Sequence, residues 1–333
     1  MPKLIAYPRL HLGLLDCGET TSRRFGGLGF AVHGMPLTLS ASLGRAGGGA
    51  GTRTLTGLFD ALDQRARQDV HAALDRLAAT VPVPPMTLSL DAMPPAHVGL
   101  GSKTMLVLAA LRVACATADV RPRPVTLQRL SGRGGASGVG LTTFFRGGFV
   151  VDLGHPRRDG LGLRPSSALR PVGVPAVSTR VAMPSSWRVS LALAGGEGLS
   201  GADEVDFFAR HTPIPDEEVR AAITLAYHEV VPAVLERDLP VLAKALAALQ
   251  SVGFKRREVE VQHPATRDLL GRLQGVPGVA AGMSSMGPLL FAIHAAGDRQ
   301  APAEVANHVA AVGGSLFGTF GMRNRGYDLH LQP

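Results

Sequence analysis

A glycine-rich segment in the first third of the chain carries the residue types that bind phosphate. Residues 95–104 read Pro-Ala-His-Val-Gly-Leu-Gly-Ser-Lys-Thr and lead directly into the apolar, helix-like residues 105–115. Glycines let the backbone approach an anion closely, and the free N–H groups at the start of a helix favour negative charge. We therefore expect an anion-binding loop with phosphate contacts from Gly99, Gly101, Ser102, Lys103 and Thr104.

The spacing of this loop excludes the two commonest nucleotide-binding motifs. A Walker loop needs four residues between its first glycine and the Gly-Lys pair, and the dinucleotide fingerprint needs a glycine three positions after Gly101. The pattern Pro-x-x-x-Gly-Leu-Gly-Ser instead resembles the second motif of the GHMP small-molecule kinases, which hold the triphosphate of ATP over such a loop. A Gly-Ser helix cap that binds no ligand is the alternative interpretation.

A second glycine-rich segment, residues 137–148, bears on the type of reaction. It reads Ser-Gly-Val-Gly-Leu-Thr-Thr-Phe-Phe-Arg-Gly-Gly and aligns without gaps with the kinase pattern Ser-Gly-x-Asp followed by Gly-Gly. The kinase aspartate, thought to be the base, falls on Gly140. Glycine has no side chain that could orient or deprotonate an attacking hydroxyl, so the sequence disfavours phosphoryl transfer to an alcohol.

The same loss of the aspartate occurs in the β-ribofuranosylaminobenzene 5′-phosphate synthases, an offshoot of the GHMP kinase superfamily that this chain resembles over nearly its whole length. The matching segments, in order, are residues 9–16, 23–29, 132–138, 146–152, 187–189, 198–201 and 284–288. The chain also resembles the C-nucleoside synthases of the formycin and pyrazofurin type. No single segment establishes the resemblance. It rests on all seven segments, which occur in the same order in this chain and in the family.

The resemblance implies an enzyme, a glycosyltransferase that uses 5-phosphoribosyl 1-diphosphate (PRPP). Such a C-glycoside synthase joins ribose 5-phosphate to an aromatic or heteroaromatic carboxylate through a carbon–carbon bond, with loss of carbon dioxide and diphosphate. Lys103, Met283 and Met286 depart from the pattern of the benzoate-using enzymes. They favour 4-aminopyrazole-3,5-dicarboxylate as the acceptor, and hence C-nucleoside antibiotic biosynthesis, although drift at positions that do not touch the acceptor would look the same.

Three alternatives to this function stay open. The acceptor could be 4-aminobenzoate or 4-hydroxybenzoate, as in methanopterin biosynthesis. The chain could be a GHMP kinase that uses ATP and has moved its base elsewhere. It could also be a relative that binds anions without catalysis.

Candidate residues for the donor and for catalysis follow from the resemblance and from side-chain chemistry. Arg133 and Ser137 belong to the second glycine-rich region, which is expected to face the phosphate loop, and are expected to bind PRPP as well. His11 and Lys103 are the catalytic candidates, because a histidine can shuttle a proton or hydrogen-bond and a lysine can stabilise the leaving diphosphate. His97, in the loop itself, is a second candidate for a proton shuttle.

The acceptor and a metal ion require further side chains. Candidates for the acceptor, chosen as cations or as donors in a glycine-rich turn, are Arg9, Arg23, Arg24, Ser284 and Ser285. The alternative for the three arginines is that they hold the 5-phosphate of the donor. A Mg²⁺ ion bridging diphosphate oxygens is expected, because Mg²⁺ typically uses substrate phosphates, waters and one or two carboxylates. Asp152 and Asp16 are the candidate ligands. The alternative is that Asp16 caps a turn and that Asp152 pairs with a neighbouring arginine such as Arg157.

Composition restricts the class of protein. The chain has 333 residues, 45% of them hydrophobic, and a net charge of +8, but its arginines are scattered and only 5% of its residues are aromatic. These features disfavour nucleic-acid binding. Cys17 and Cys115 lack metal-site spacing, no apolar leader is evident, and no run of eighteen apolar residues occurs, so we expect a soluble cytoplasmic protein without membrane contact. A homodimer is expected from GHMP relatives.

The elements that must position these residues indicate an α+β chain with a two-domain GHMP-kinase-like fold. Residues 1–175 are predicted as a ribosomal protein S5 domain 2-like half that binds phosphate, and residues 180–333 as a ferredoxin-like half. Strands are predicted at 4–15, 28–43, 86–90, 149–153, 188–194, 288–294 and 315–322, and helices at 59–79, 105–115, 216–236, 239–252, 264–274 and 303–312. Residues 47–51 are predicted as a hairpin tip or loose loop, 241–249 as core, and 255–257 as a solvated turn.

Overall fold

Three β-sheets and eleven α-helices make up the described part of the chain. The computed structural model describes residues 1–44, 53–158, 162–166, 168–169, 171, 173–195 and 202–331. In the first sheet the strand order is β14-β1-β4-β6-β5. Its strands are β1 (Pro2–Ala6), β4 (Leu37–Leu43), β5 (Arg53–Gly57), β6 (Met86–Ala92) and β14 (Asp328–Leu331). Only the β5–β6 pair among these is parallel.

The second sheet is antiparallel. One of its strands follows the second glycine-rich segment directly along the chain. Its order is β2-β3-β7-β9, with β8 paired to β3. Its strands are β2 (Arg9–Asp16), β3 (Arg23–Ala31), β7 (Phe149–Asp152), β8 (His155–Pro156) and β9 (Val177–Val181). A side chain at Gly29 would place its Cβ 2.2 Å from the carbonyl oxygen of Leu10, so glycine lets β2 and β3 approach each other here.

The third sheet is antiparallel, with the order β11-β12-β10-β13. Its strands are β10 (Trp187–Leu193), β11 (Ala280–Met283), β12 (Leu290–Ala295) and β13 (Ser315–Gly321). The helices after residue 201 are α5 (Ala202–His211), α6 (Asp216–Leu225), α7 (Val231–Glu236), α8 (Leu239–Gln250), α9 (Gly253–Glu260), α10 (Pro264–Gln274) and α11 (Gln300–Ala311). A π-helical turn, Ala226–Val230, joins α6 to α7.

Among the described residues, the first half of the chain has four α-helices: α1 (Gln64–Ala78), α2 (Ser102–Thr117), α3 (Pro124–Ser131) and α4 (Val139–Arg146). Helix α2 is buried at every position from Met105 to Leu111 and packs with the first sheet into one core cluster. Since an α-helix buried on all sides is held by its neighbours, the N-terminus of α2 has a fixed position. The glycine loop ends at that N-terminus.

The predicted strands and helices are confirmed in most places, with three corrections. Residues 4–15 form two strands in different sheets, since Tyr7 and Pro8 break the run, and residues 28–43 are divided between β3 and β4. Residues 255–257 are not a solvated turn but part of α9, because Lys255 is only 1% exposed and both following arginines pair with Glu218. Helices α3, α4, α5 and α9 were not predicted.

Several sequence expectations meet the structure only in part. Strand β14 pairs with β1, so the end of the chain returns to the first sheet, and the division into domains at residues 175–180 stays a prediction. Segments 47–51 and 198–201 lie outside the described residues. Cys17 and Cys115 are buried free thiols. No helix in the described ranges is long and apolar enough to cross a membrane.

Candidate active site

The predicted phosphate loop has the backbone conformation that its glycines allow. His97, Gly99 and Gly101 all have positive φ, at 61°, 108° and 73°. Gly101 is the N-cap of α2, so the free N–H groups of Ser102, Lys103 and Thr104 start the helix beside it. This arrangement concentrates backbone donors and the positive end of the helix dipole at one point. The loop therefore has the geometry of an anion site.

Strand β2 and the turn at residues 284–287 hold the loop in place. The Gly99 carbonyl accepts hydrogen bonds from Arg9 Nη1 at 2.6 Å and from Ser284 Oγ at 2.8 Å. Ser284 Oγ in turn accepts from the His11 backbone N–H at 3.0 Å. A Cβ at Gly99 would lie 2.4 Å from the Ser284 carbonyl oxygen, so glycine is required here for packing as well as for φ. Three sequence segments therefore meet at one point.

The second glycine-rich segment forms the facing wall. Ser137 Oγ donates to Asp152 Oδ2 at 2.7 Å and lies 3.1 Å from His11 Nε2. The Gly138 N–H also donates to Asp152 Oδ2, at 2.8 Å, so the carboxylate joins the end of β7 to the start of α4. Burial raises the pKa of Asp152 to about 6, while these hydrogen bonds act in the opposite direction.

Gly140, the position of the kinase aspartate, opens toward Arg9. A Cβ at this position would make ordinary contact with Thr104 Cγ2 at 3.5 Å and would lie 4.0 Å from Arg9 Nε. That Nε is buried and has no hydrogen-bond partner among the described residues. Burial, followed by repulsion from Arg133, lowers the pKa of Arg9 to about 10. The guanidinium of Arg9 is thus a half-buried cation whose enclosed Nε is free to donate to an anion.

A buried ion pair, Lys255 with Glu258, holds the turn at Ser285. Lys255 Nζ donates to the Ser285 carbonyl at 2.6 Å and lies 3.1 Å from Glu258 Oε2. Both side chains are at most 4% exposed. Burial lowers the pKa of Lys255 and raises that of Glu258. The pair fixes the turn at Ser285, whose N–H donates to the His11 carbonyl at 2.7 Å.

These segments enclose a cavity of about 1280 Å³, enough for a sugar diphosphate together with an aromatic acid. Eleven of the predicted site residues line it: Arg9, His11, His97, Gly99, Gly101, Ser102, Lys103, Thr104, Arg133, Ser137 and Ser285. Among its described lining residues are six cations, Arg9, Arg65, Arg76, Lys103, Arg129 and Arg133, and four carboxylates, Asp63, Asp69, Glu204 and Glu258. The excess of cations suits a highly charged anion.

Other predicted residues lie outside the cavity lining. Arg23 donates to the carbonyls of Leu153 and Gly154, and the Arg24 guanidinium lies over the Phe25 ring, so the geometry does not support acceptor binding by either arginine. Ser284 does not line the cavity but braces the loop through Gly99.

The two predicted metal ligands are used by the protein itself. Asp16 accepts hydrogen bonds from the backbone of Gly18, Thr20 and Thr21 and caps that turn. Asp152 accepts from Ser137, Gly138 and Gly154. No cluster of three or more histidine, cysteine or acidic residues suitable for a metal occurs within the described ranges. The geometry therefore does not support either carboxylate as a metal ligand.

The sequence did not predict Asp63 and Glu258, which line the cavity, or Lys255, which pairs with Glu258. Asp63 caps α1 by accepting from the Ala66 N–H, and its Oδ2 lies 3.5 Å from Lys103 Nζ and 3.6 Å from His97 Nε2. An aspartate before a helix signals a cap, but its approach to the glycine loop depends on tertiary packing. Lys255 and Glu258, three residues apart, could have been recognised as a helix pair, although not as a buried one.

Solved structures place this fold among the GHMP kinases. The chain resembles homoserine kinase from Cytophaga hutchinsonii, with a TM-score of 0.69 and 15% identity over 98% of this chain and 96% of that one. Phosphomevalonate kinase from Streptococcus pneumoniae gives a TM-score of 0.70 and 13% identity over 95% and 98%. The chain therefore has a GHMP-kinase-like fold.

Sequence comparison identifies the branch of that fold. The chain is 30% identical over 321 residues to the β-ribofuranosylphenol 5′-phosphate synthase of Methanothermobacter thermautotrophicus, covering 96% of this chain and 95% of the relative. It is 29% identical over 313 residues to the protein of the same name from Methanocaldococcus jannaschii, covering 90% and 91%. No family model matches the chain. The chain belongs to the β-ribofuranosylphenol 5′-phosphate synthase family and is an enzyme.

Proposed function

We propose that the enzyme transfers the ribose 5-phosphate of PRPP to the ring carbon of an aromatic carboxylate, with release of carbon dioxide and diphosphate. The favoured acceptor is a 4-hydroxybenzoate or 4-aminobenzoate type of acid, since the relatives are named for a ribosylphenol product. The observation that carries the proposal is the cavity in which a phosphate-binding loop faces Gly140 in place of a catalytic carboxylate.

The cavity supplies groups for each part of the donor. The N-terminus of α2 and Lys103 bind the diphosphate, because they combine backbone donors with a partly exposed ammonium group. Arg133, whose Nε donates to Thr104 Oγ1 at 3.3 Å, adds a guanidinium beside the same loop. Stabilising the negative charge that grows on diphosphate as it leaves lowers the barrier to departure.

The chemistry needs no nucleophilic side chain. The C1–oxygen bond of ribose breaks and its electron pair leaves with diphosphate, while the ring carbon bearing the carboxylate bonds to C1. The bond from that ring carbon to the carboxylate then breaks, its electrons restore the aromatic ring, and carbon dioxide leaves. The protein's task is to align the two reactants, which the groups that line the cavity perform.

Mg²⁺ remains part of the proposal as an ion carried by the substrate. With Asp16 and Asp152 engaged in turns, the ion would be held chiefly by diphosphate oxygens and water. Asp63 is the carboxylate nearest Lys103 in the loop and the first candidate for an outer contact. When bound, Mg²⁺ neutralises charge on the leaving diphosphate.

A pyrazole dicarboxylate is the second candidate acceptor. Two of the three departures from the benzoate pattern, Lys103 and Met286, line the cavity, whereas Met283 is buried in the core cluster of the third sheet. A role in antibiotic or methanopterin biosynthesis follows only from the acceptor and stays a prediction, as does a homodimer.

Mass spectrometry of the products tests the proposal. Purified enzyme, Mg²⁺ and PRPP are incubated with 4-hydroxybenzoate, 4-aminobenzoate or 4-aminopyrazole-3,5-dicarboxylate, and a parallel series contains ATP and a panel of alcohols. We expect a riboside phosphate of the hydroxy or amino acid that lacks the carboxylate. A pyrazole riboside alone would transfer the assignment to the second candidate, and phosphorylation of an alcohol by ATP would overturn both.

A further inference from the structure

His11 presents its two ring nitrogens to different surroundings. Nε2 lies 3.1 Å from Ser137 Oγ, inside the wall, whereas Nδ1 makes no hydrogen bond within the described part of the chain. Nδ1 is not fully enclosed by protein atoms, and His11 lines the cavity. A buried histidine with a purely structural role usually has both nitrogens satisfied. Nδ1 is therefore available to a ligand.

The hydrogen bonds around Ser137 determine which nitrogen of His11 carries the proton. Ser137 Oγ gives its single hydrogen to Asp152 Oδ2 at 2.7 Å. Asp152 is an acceptor here, because its oxygens also receive the N–H groups of Gly138 and Gly154. Ser137 Oγ can then only accept from its other neighbours, and it does so from the Val139 N–H at 3.2 Å. His11 must accordingly donate from Nε2, which leaves a lone pair on Nδ1.

We propose that Asp152 and Ser137 hold His11 in this tautomer so that Nδ1 accepts a hydrogen bond from a hydroxyl or amino group on the ring of the acceptor. This inference rests on the proposed function and names a specificity residue for it. His11 would touch the substrate, while Ser137 and Asp152 would act through it as positioning residues. The enzyme would thereby select aromatic acids that carry a donor group over those that do not.

The chemistry of the proposed reaction gives this contact a use. Carbon–carbon bond formation requires an electron-rich ring carbon, and a hydroxyl group opposite the carboxylate supplies electron density to that carbon. The supply increases when the hydroxyl donates a hydrogen bond to a base. His11 is suited to accept without becoming charged, since burial, with Arg9 and Lys255 nearby, lowers its pKa well below the usual value.

Nitrogen NMR tests the tautomer without any substrate. Protein labelled with ¹⁵N in its histidines is measured at pH 8, and the His11 signals are assigned by their loss in His11→Gln. We expect a protonated Nε2 and an unprotonated Nδ1, and the opposite tautomer would overturn the proposal. Ser137→Ala should release this preference and Ser137→Thr should restore it, because threonine keeps the hydroxyl. An unchanged tautomer in Ser137→Ala would contradict the role of the serine.

Two acceptors of similar electron donation separate the hydrogen bond from other effects. The wild-type enzyme and His11→Leu are compared on 4-hydroxybenzoate and 4-methoxybenzoate, which has no donor. We expect kcat/KM for the hydroxy acid to fall by about 10- to 100-fold more than for the methoxy acid, as for loss of one buried hydrogen bond. His11→Asn, which can retain an acceptor oxygen, should restore part of the difference. Equal losses on both acids would overturn the proposal.

The same spectra separate failure of this inference from failure of the proposed function. If none of the aromatic acids is turned over, each acid is titrated into labelled protein saturated with PRPP. A shift of the Nδ1 signal with 4-hydroxybenzoate that 4-methoxybenzoate does not produce would support the contact even without catalysis. The absence of such a difference would overturn it.

Discussion

At the scale of single residues, the cavity depends on cations whose charge is only partly balanced by the protein. Lys103 is the plainest case, because its ammonium group lies 3.5 Å from Asp63 Oδ2 at the entrance of the glycine loop and keeps 27% of its side chain exposed. Arg9 is more enclosed, and its Nε has no partner in the described structure. We expect an anionic group of the substrate to bind these two side chains.

Replacing Lys103 with alanine should weaken binding of the donor PRPP rather than binding of the acceptor. We expect the KM for PRPP to rise at least about tenfold, since a charge-assisted phosphate contact is lost, while the fold is retained. Lys244→Ala, at an exposed position of α8, is the matched control for removing one lysine. Steady-state kinetics with varied PRPP measures both variants, and an unchanged KM and kcat in Lys103→Ala would remove this residue from the site.

Gly140 gives a second prediction at this scale. Gly140→Asp would place a carboxylate beside the unpartnered Nε of Arg9 and near the phosphate loop, so it should neutralise the site and repel the donor. We expect a rise of at least about tenfold in the KM for PRPP, with a much smaller effect of Gly140→Asn, which has the same shape without the charge. Equal effects of the two variants would show that shape, not charge, matters here.

The sequence predicted residues of the cavity lining best where local conformation is itself the signal. Gly99 and Gly101 could be recognised because a loop with positive φ needs glycine, and both line the cavity. Arg23 and Arg24 were predicted from their charge and from a segment that resembles the family, yet neighbouring carbonyls and a phenylalanine ring engage them. Lys255 was missed for the opposite reason, since a lysine in a basic run is normally solvated and only tertiary packing buries this one.

At the scale of elements, the site is assembled where strand ends meet helix starts. The end of β7 meets the start of α4 through Asp152, and α2 begins at the glycine loop, which β2 and the 284–287 turn hold in place. The helices α2 and α10 were predicted well because their apolar patterns are regular. The helices α4 and α9 were not predicted, since each is only eight residues long.

The junction of β7 and α4 makes a testable contribution to pH dependence. Burial raises the pKa of Asp152 to about 6 in the folded chain, so its contribution to stability is fully present below the unfolded pKa and is lost as pH rises through 6. Asp152→Asn removes this titration. From pH 4.5 to pH 7, the unfolding free energy of the variant relative to wild type should therefore rise by about 2 kcal/mol.

Urea denaturation at the two pH values measures this difference. Asparagine cannot make all the hydrogen bonds of Asp152, and to first order this loss is the same at both pH values. The loss therefore cancels when the gap in unfolding free energy between wild type and variant at pH 4.5 is compared with the gap at pH 7. Asp268→Asn, on the surface of α10, is the control for changing an exposed carboxylate. A constant gap between wild type and Asp152→Asn would show that Asp152 does not titrate in this range.

At the scale of the whole molecule, the two ends of the chain are joined beside the sheets that carry the site. Strand β14 pairs with β1, and Asp328 at its start accepts from Tyr7 at 2.9 Å and from Arg323 at 2.8 Å. The Arg323 guanidinium is buried and lies 3.9 Å from the centre of the Tyr7 ring. The backbone of Arg323 also bonds to Ala31, at the end of β3, and to Gly148. This contact therefore links the first sheet to the second.

Removing the carboxylate at this link should destabilise the whole chain. Asp328→Ala leaves the buried Arg323 without its anionic partner, and we expect the unfolding free energy to fall by about 3 kcal/mol. Asp268→Ala, which breaks the exposed pair with Arg272, should change it by less than about 0.5 kcal/mol. Chemical denaturation followed by circular dichroism measures both. The link holds β1, which leads directly into β2 with its Arg9 and His11. PRPP binding should therefore be lost at a lower denaturant concentration in Asp328→Ala than in wild type. Similar losses in the two variants would mean that the ends of the chain are held by strand pairing and not by this buried pair.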